Sequence, residues 1–179
     1  SMSGTSNREQ AAPACRHVPA GPAMAEHVEK RSRFIAHLWP VESEEEARSR
    51  IAGMKAKYHD ARHNCWCYHV GGAVRYSDDG EPQGTAGQPM LEVFRRQGVE
   101  DFCCVVTRYF GGILLGAGGL MRAYVKAARD ALDAAGIGAV HRLIMVETAC
   151  PYGLFERVKL EAETAGAVER VEYGEQVHV

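Results

Sequence analysis

The sequence predicts an α+β fold, a mostly antiparallel sheet with helices packed on one face. Two observations support this class. Short β-prone segments follow one another through tight turns, and amphipathic helical segments separate them without the regular alternation of a parallel α/β sheet. With 46% hydrophobic residues among 179, the chain has enough apolar side chains for a folded core.

The first predicted elements of the domain are a strand, a helix and a hairpin. Alternating apolar residues indicate a strand over 32–41. Ser43 and Glu46 form a capping box that begins a helix ending near Tyr58. Its apolar stripe consists of Ala47, Ile51, Met54 and Tyr58. A hairpin over 64–77 then turns at two consecutive glycines.

The later elements are bounded by proline and glycine. A helix is predicted from Pro89 to Gly98, a buried strand over 102–110, and a long helix over 119–135 that ends at Gly136. Beyond residue 138 the pattern predicts a strand, a helix and a further strand, which either pack on the first domain or form part of a second one.

Residues 1–25 lack periodicity and are rich in small residues and proline, so we expect a mobile tail there. The opening Ser1-Met2 is typical of the remnant of a cleaved expression tag. No apolar run reaches the length of a membrane span, and the cysteine positions suggest buried free thiols. We therefore expect a cytoplasmic protein that does not bind membranes. The net charge of −2 argues against a uniformly basic nucleic-acid-binding surface but is compatible with a local basic patch.

The first of two glycine-rich signatures, Ser-Asp-Asp-Gly-Glu-Pro-Gln-Gly-Thr-Ala-Gly-Gln-Pro, occupies residues 77–89. Its carboxylates, Asp78, Asp79 and Glu81, are suited to Mg²⁺ or to acid–base chemistry. The same order is typical of a tight turn, in which Asp side chains bond to nearby backbone while glycine and proline set φ. The turn is the favoured interpretation, and no metal site is predicted.

The second signature, Arg-Tyr-Phe-Gly-Gly-Ile-Leu-Leu-Gly-Ala-Gly-Gly-Leu at residues 108–120, lies between a predicted strand and a helix. Unpaired amides at a helix N-terminus favour an anion, which makes a phosphate site one interpretation. The signature has neither the ending of a P-loop nor the G-x-G-x-x-G spacing. Close packing of a strand-to-helix connection is the other interpretation.

Several charged residues adjoin these signatures. Arg122 and Lys126 are four apart and share a helix face, which is either an anion-binding or an ordinary solvated face. His63, near Asp60, has the chemistry of a general base, but the sequence ties no nucleophile to it. The candidate binding residues are Arg62, His63, Asp78, Asp79, Glu81, Arg108, Gly111, Gly112, Gly116, Gly118, Gly119, Arg122 and Lys126.

Together with the Asp-Ala-Arg-His sequence at 60–63, the two signatures closely resemble the YigZ/IMPACT family over residues 28–136. The resemblance implies an IMPACT-type domain over 26–137 and a partial ferredoxin-like unit over 138–179. It also implies that the first domain shares its fold with a domain of a small-subunit ribosomal protein, with elongation factor G and with GHMP kinases.

The same resemblance implies a binding protein linked to regulation of translation, because the eukaryotic relatives are translation regulators. RNA, the ribosome or a translation-related protein is then the expected partner, with no cofactor and no catalytic residue. The alternative is a nucleotide- or phosphate-binding enzyme related to GHMP kinases, although the serine-containing phosphate loop of those kinases is missing. Neither interpretation predicts an oligomeric state.

Overall fold

The structure, a computed structural model, describes residues 15–141. In chain order its elements are β1 (Cys15–Pro19), β2 (Ala23–Glu29), β3 (Ser32–Pro40), α1 (Glu44–Lys57), β4 (His63–Val70), β5 (Ala73–Ser77), α2 (Gly87–Arg96), β6 (Phe102–Tyr109), α3 (Gly116–Ala135) and β7 (Ile137–His141).

A five-stranded sheet forms the centre of the compact unit His17–Gly138. Its strand order is β2-β3-β6-β4-β5, and every neighbouring pair is antiparallel. β1 and β7 form a separate two-stranded sheet. The predicted α+β class and the antiparallel sheet are therefore confirmed. Of the other compact unit, only residues 15, 16 and 139–141 are described.

Helices pack on both faces of the sheet, so the prediction of a single covered face was wrong. Helices α2 and α3 cover the face that presents Phe34, Cys67 and Val106. On the opposite face, Ala47 and Ile51 of α1 pack against a second apolar cluster. The physical reason is that the central strands are apolar on both sides, and each side must be shielded from water.

The predicted helix caps are largely confirmed. Ser43 caps α1, its Oγ accepting a hydrogen bond from the Glu46 amide at 3.1 Å. The Glu46 carboxylate returns to the Glu42 amide at 2.9 Å, one residue before the position expected for a capping box. Helices α2 and α3 begin at Gly87 and Gly116, respectively two and three residues earlier than predicted.

The prediction of a mobile tail over 1–25 was wrong for residues 15–25, which contain β1 and the start of β2. The sequence pattern of a strand is weak here, because the small Ala23 and Ala25 of β2 point inward while Met24 and Val28 are more than half exposed. This is the reverse of the pattern expected for a surface strand.

The predictions for residues 1–14 and 142–179 lie outside the described residues. Cys65, Cys67, Cys103 and Cys104 are buried free thiols, as predicted, whereas Cys15 is exposed. Within residues 15–141, no helix is long and apolar enough to cross a bilayer.

Candidate functional site

Asp78, which directly follows β5, caps the N-terminus of α2. Its Oδ1 accepts hydrogen bonds from the amides of Ala86 and Gly87 at 3.1 and 2.9 Å, and its Oδ2 accepts one from Gly84 at 2.8 Å. Ala86, at the N-cap position, supplies no side-chain bond of its own. A carboxylate from a distant part of the loop thus satisfies amides that would otherwise be unpaired.

Asp79 joins the same loop to the start of β4. Its Oδ2 accepts a hydrogen bond from the Asn64 amide, and its backbone oxygen lies 2.7 Å from His63 Nδ1. Lys55 approaches Oδ1 at 3.7 Å. Residues 15–141 contain no group of three or more acidic, histidine or cysteine side chains arranged to hold a metal. The contacts of Asp78 and Asp79 match the turn interpretation of the first signature.

Glu81 is the centre of a buried polar network. Its side chain is fully buried, and the Arg108 guanidinium donates to both carboxylate oxygens, with Nη2 to Oε2 at 3.0 Å. The Tyr124 hydroxyl of α3 donates to Oε1 at 2.8 Å, and His63 Nε2 lies 3.6 Å from the same oxygen. The network therefore ties the first signature to β6, α3 and the start of β4.

Burial and the charge of Glu81 shift the pKa values of the neighbouring Arg108, Tyr124 and Cys65. Burial disfavours the charged form of Arg108, but the hydrogen bond and the charge of Glu81 outweigh it and raise the pKa of Arg108. Burial and the nearby Cys65 and Glu81 raise the pKa of Tyr124 far above its ordinary value. Burial also raises the pKa of Cys65, whose thiol donates to the Asp78 carbonyl at 3.0 Å. The cluster holds a neutral thiol and a neutral phenol, so it lacks an activated nucleophile.

Two of the candidate binding residues, Glu81 and Arg108, thus lie inside the fold and bond to each other. Arg108 was predicted as a binding residue, but it is buried and points toward the face covered by α2 and α3. The hydrogen bond from the Tyr124 hydroxyl to Glu81 is a long-range contact that no local sequence pattern predicts.

The loop after β6 packs tightly on the β2–β3 turn. A Cβ on Gly111 would lie 2.1 Å from the backbone carbon and oxygen of Arg31, so only glycine fits there. The Gly111 amide donates to Ser32 Oγ at 3.2 Å. Gly112 and Gly116 adopt positive φ angles of 91° and 72°. Close packing therefore accounts for Gly111, whereas the backbone conformation accounts for Gly112 and Gly116.

A cleft of about 300 Å³ lies beside the N-terminal part of α3. The structure brings together here the predicted residues Gly119, Arg122 and Lys126, and adds Lys30 from the β2–β3 turn. The remaining lining residues are His27, Glu29, Leu115 and Ala123. Sequence reasoning missed the contribution of β2 because part of that segment had been assigned to a tail.

Two features of the cleft bear on whether it can hold an anion. Leu115, at the N-cap position of α3, makes no side-chain capping bond, and a helix N-terminus favours an anion. Arg122 reaches back over that turn, with Nη1 3.2 Å from the position that a Gly118 Cβ would occupy. Of the lysines, Lys126 pairs with Asp130 at 2.7 Å, whereas no ion pair of Lys30 occurs among residues 15–141.

Arg62 lies at the same end of the sheet. The register places His63 opposite Arg108, next to the pair Arg33 and Tyr109. The exposed Arg62 stacks its guanidinium on the Phe110 ring at 4.6 Å. The β2–β3 turn, the start of β4 and the glycine-rich loop therefore meet at one basic end of the sheet.

Comparisons with known proteins give the family of this chain. The Impact N-terminal domain matches residues 30–132. The IMPACT family member YvyE of Bacillus subtilis is 43% identical over 158 residues, covering 85% of this chain and 72% of the relative. YigZ of Escherichia coli is 42% identical over 120 residues, so the chain spans 59% of its length.

A solved structure described as a crystal structure of a hypothetical protein superposes with a TM-score of 0.69 at 32% identity, over 89% of this chain and 81% of the other. Because the domain match covers more than half of the chain, the protein belongs to the IMPACT family.

Proposed function

We propose that this chain is a cytosolic RNA-binding protein without catalytic activity, and that it acts in the regulation of translation. The observation that carries the proposal is the cleft at the start of α3, where Lys30, Arg122 and Lys126 line the same cavity as Leu115 and Gly119 of the helix N-terminus. A phosphate group fits this arrangement, since cations and helix N-terminal amides both bind anions.

RNA is favoured over a single small anion because the basic residues extend beyond the cleft. Arg31 lies in the same turn as Lys30, and Arg62 stacks on Phe110 at the same end of the sheet. Neither has an acidic partner among residues 15–141. Because the whole chain has a net charge of −2, a cluster of cations at one end of the sheet does not simply reflect an overall basic composition. Membership of the IMPACT family supports the link to translation.

The nucleotide-dependent enzyme is the weaker alternative. It would require Asp78, Asp79 or Glu81 to bind a metal, but backbone amides and Arg108 already occupy their oxygens. A nucleotide with Mg²⁺ is therefore expected to leave the melting temperature unchanged, whereas a ligand of the native state would raise it.

The double variant Lys30→Ala/Arg122→Ala is expected to weaken binding to an RNA hairpin and to make binding less dependent on salt. Each lost phosphate contact lowers the slope of log Kd against log salt by about one, because fewer counterions are released. Fluorescence anisotropy between about 50 and 200 mM salt measures both quantities. Arg75→Ala, which removes an exposed arginine of β5, is the matched control and is expected to bind like the wild type. Equal affinities of the double variant and the control would contradict the proposal.

A further inference from the structure

The face of the sheet that carries α1 presents a continuous row of aromatic rings. The row consists of Trp39, His37, Tyr58 and Tyr109. The rings of Trp39 and His37 stack at 5.7 Å with an interplanar angle of 13°. The ring of Tyr58 lies 5.8 Å from His37 and 6.3 Å from Tyr109. We call these four residues the aromatic row.

Cations accompany the aromatic row along its length. The Arg50 guanidinium lies 5.4 Å from the Trp39 ring, and Lys57 Nζ lies 5.3 Å from the Tyr58 ring. Arg33 lies 5.7 Å from the Tyr109 ring. All three cations are exposed. Energetically significant cation–π pairs occur about once per 70–80 residues, so their concentration on one face is unusual.

The described residues cover the row unevenly: Trp39 is only 9% exposed and belongs to the apolar cluster under α1, whereas His37, Tyr58 and Tyr109 are half-buried. Helix α1 packs mainly on β4 and β6, and next to the row the β2 residues Met24 and Val28 are 54% and 57% exposed. The buried Nδ1 of His37 has no hydrogen-bond partner within residues 15–141. Burial and the charge of Lys57 lower the pKa of His37, which favours the neutral, stacking form of the ring.

We propose that the aromatic row binds single-stranded RNA, with bases stacking on the half-buried rings of Tyr58 and Tyr109 and on the Arg50 guanidinium that lies over Trp39, and with phosphates paired with Lys57. This inference rests on the proposed RNA binding. It adds a second binding surface and specifies that the RNA bound there is single-stranded. Proteins that bind single strands combine aromatic platforms with a basic path for the backbone, and the row supplies both. A duplex hides its base faces and is expected to bind at the α3 cleft without engaging the row.

The test uses the full chain carrying Trp66→Phe, which leaves Trp39 as its single tryptophan. An oligouridylate of about twelve nucleotides is expected to change Trp39 fluorescence on binding, whereas an RNA duplex of equal length is not. In this background Tyr58→Leu is expected to weaken oligouridylate binding about tenfold, which matches the loss of one stacked base. Tyr76→Leu on β5, where the tyrosine is 49% exposed, is the control and is expected to retain wild-type affinity.

Circular dichroism shows whether Tyr58→Leu folds. If it does not, the surface variant Arg50→Ala/Lys57→Ala takes its place, with the same expected loss for the oligouridylate and with duplex affinity retained. If the variants of the aromatic row bind the oligouridylate as tightly as Tyr76→Leu does, the aromatic row is not an RNA-binding surface. If RNA binding still depends on Lys30 and Arg122 in that case, the proposed function stands. No binding of either RNA at about 50 mM salt would overturn both.

Discussion

Replacing Arg108 by leucine is expected to destabilise the protein by about 3–5 kcal/mol, because the change leaves the charge of Glu81 buried without its partner. The Glu81 side chain is 0% exposed to solvent, and without Arg108 its neighbours are the uncharged Tyr124 hydroxyl at 2.8 Å and the His63 ring at 3.6 Å. A loss of this size is a large fraction of the stability of a typical domain, about 5–15 kcal/mol. Urea unfolding, followed by circular dichroism, measures the difference.

Arg33→Leu is the matched control for this prediction. Arg33 also bonds a glutamate, Glu26, through Nε at 2.7 Å, but the two side chains are 52% and 38% exposed. An exposed pair of this kind contributes at most about 1 kcal/mol. The double variant Glu81→Leu/Arg108→Leu is expected to be more stable than Arg108→Leu alone, because it removes the unpaired charge. Similar losses for Arg108→Leu and Arg33→Leu would contradict the buried network.

Gly111→Ala is expected to cost about 3 kcal/mol or more, the upper range for overpacking, because the new Cβ would overlap rigid backbone. The overlapping atoms are the carbon and oxygen of Arg31, each 2.1 Å from the Cβ position. Either the glycine-rich loop or the β2–β3 turn must move, so the cleft that both elements shape is expected to lose RNA affinity as well. Urea unfolding and anisotropy with the RNA hairpin measure the two effects.

Gly118→Ala is the control within the same signature. A Cβ there meets only the flexible end of Arg122, at 3.2 Å, and Gly118 has no positive φ. In a helix, alanine is favoured over glycine by roughly 0.5–1 kcal/mol, so stability is expected to stay equal or rise slightly. A Gly111→Ala variant as stable as Gly118→Ala would show that the loop does not need the close approach to Arg31.

Local chemistry made much of the fold predictable. The Ser43 cap, the glycine at position 136 after α3 and the β4–β5 hairpin each depend on residues close in sequence. The placement of α1 was not predictable in this way, because it depends on which face of β4 and β6 remains open once α2 and α3 have packed. β2 was missed because two of its inward residues, Ala23 and Ala25, are small and two of its exposed residues, Met24 and Val28, are apolar.

In the candidate site, too, the features that depend on nearby residues were predictable and the long-range contacts were not. The Asp78 turn was predicted from residue order, and Arg122 with Lys126 was predicted from helical spacing. The burial of Glu81 against Arg108 and Tyr124 joins segments separated by 27 and 43 positions, and no pattern within either segment encodes it. Lys30 lines the cleft, and its neighbour Arg31 packs closely against Gly111. Both are tertiary features that the local sequence does not encode.

Hydrogen–deuterium exchange of the full chain, with and without the RNA hairpin, tests the proposed α3 cleft most directly. The amides at the start of α3 have no intrahelical acceptor, so they are expected to exchange fast in the free protein. A phosphate bound in the cleft is expected to slow exchange in peptides covering residues 25–31 and 111–126. Bound RNA that leaves both regions unprotected, or protects only residues 73–96, would contradict the cleft as the binding site.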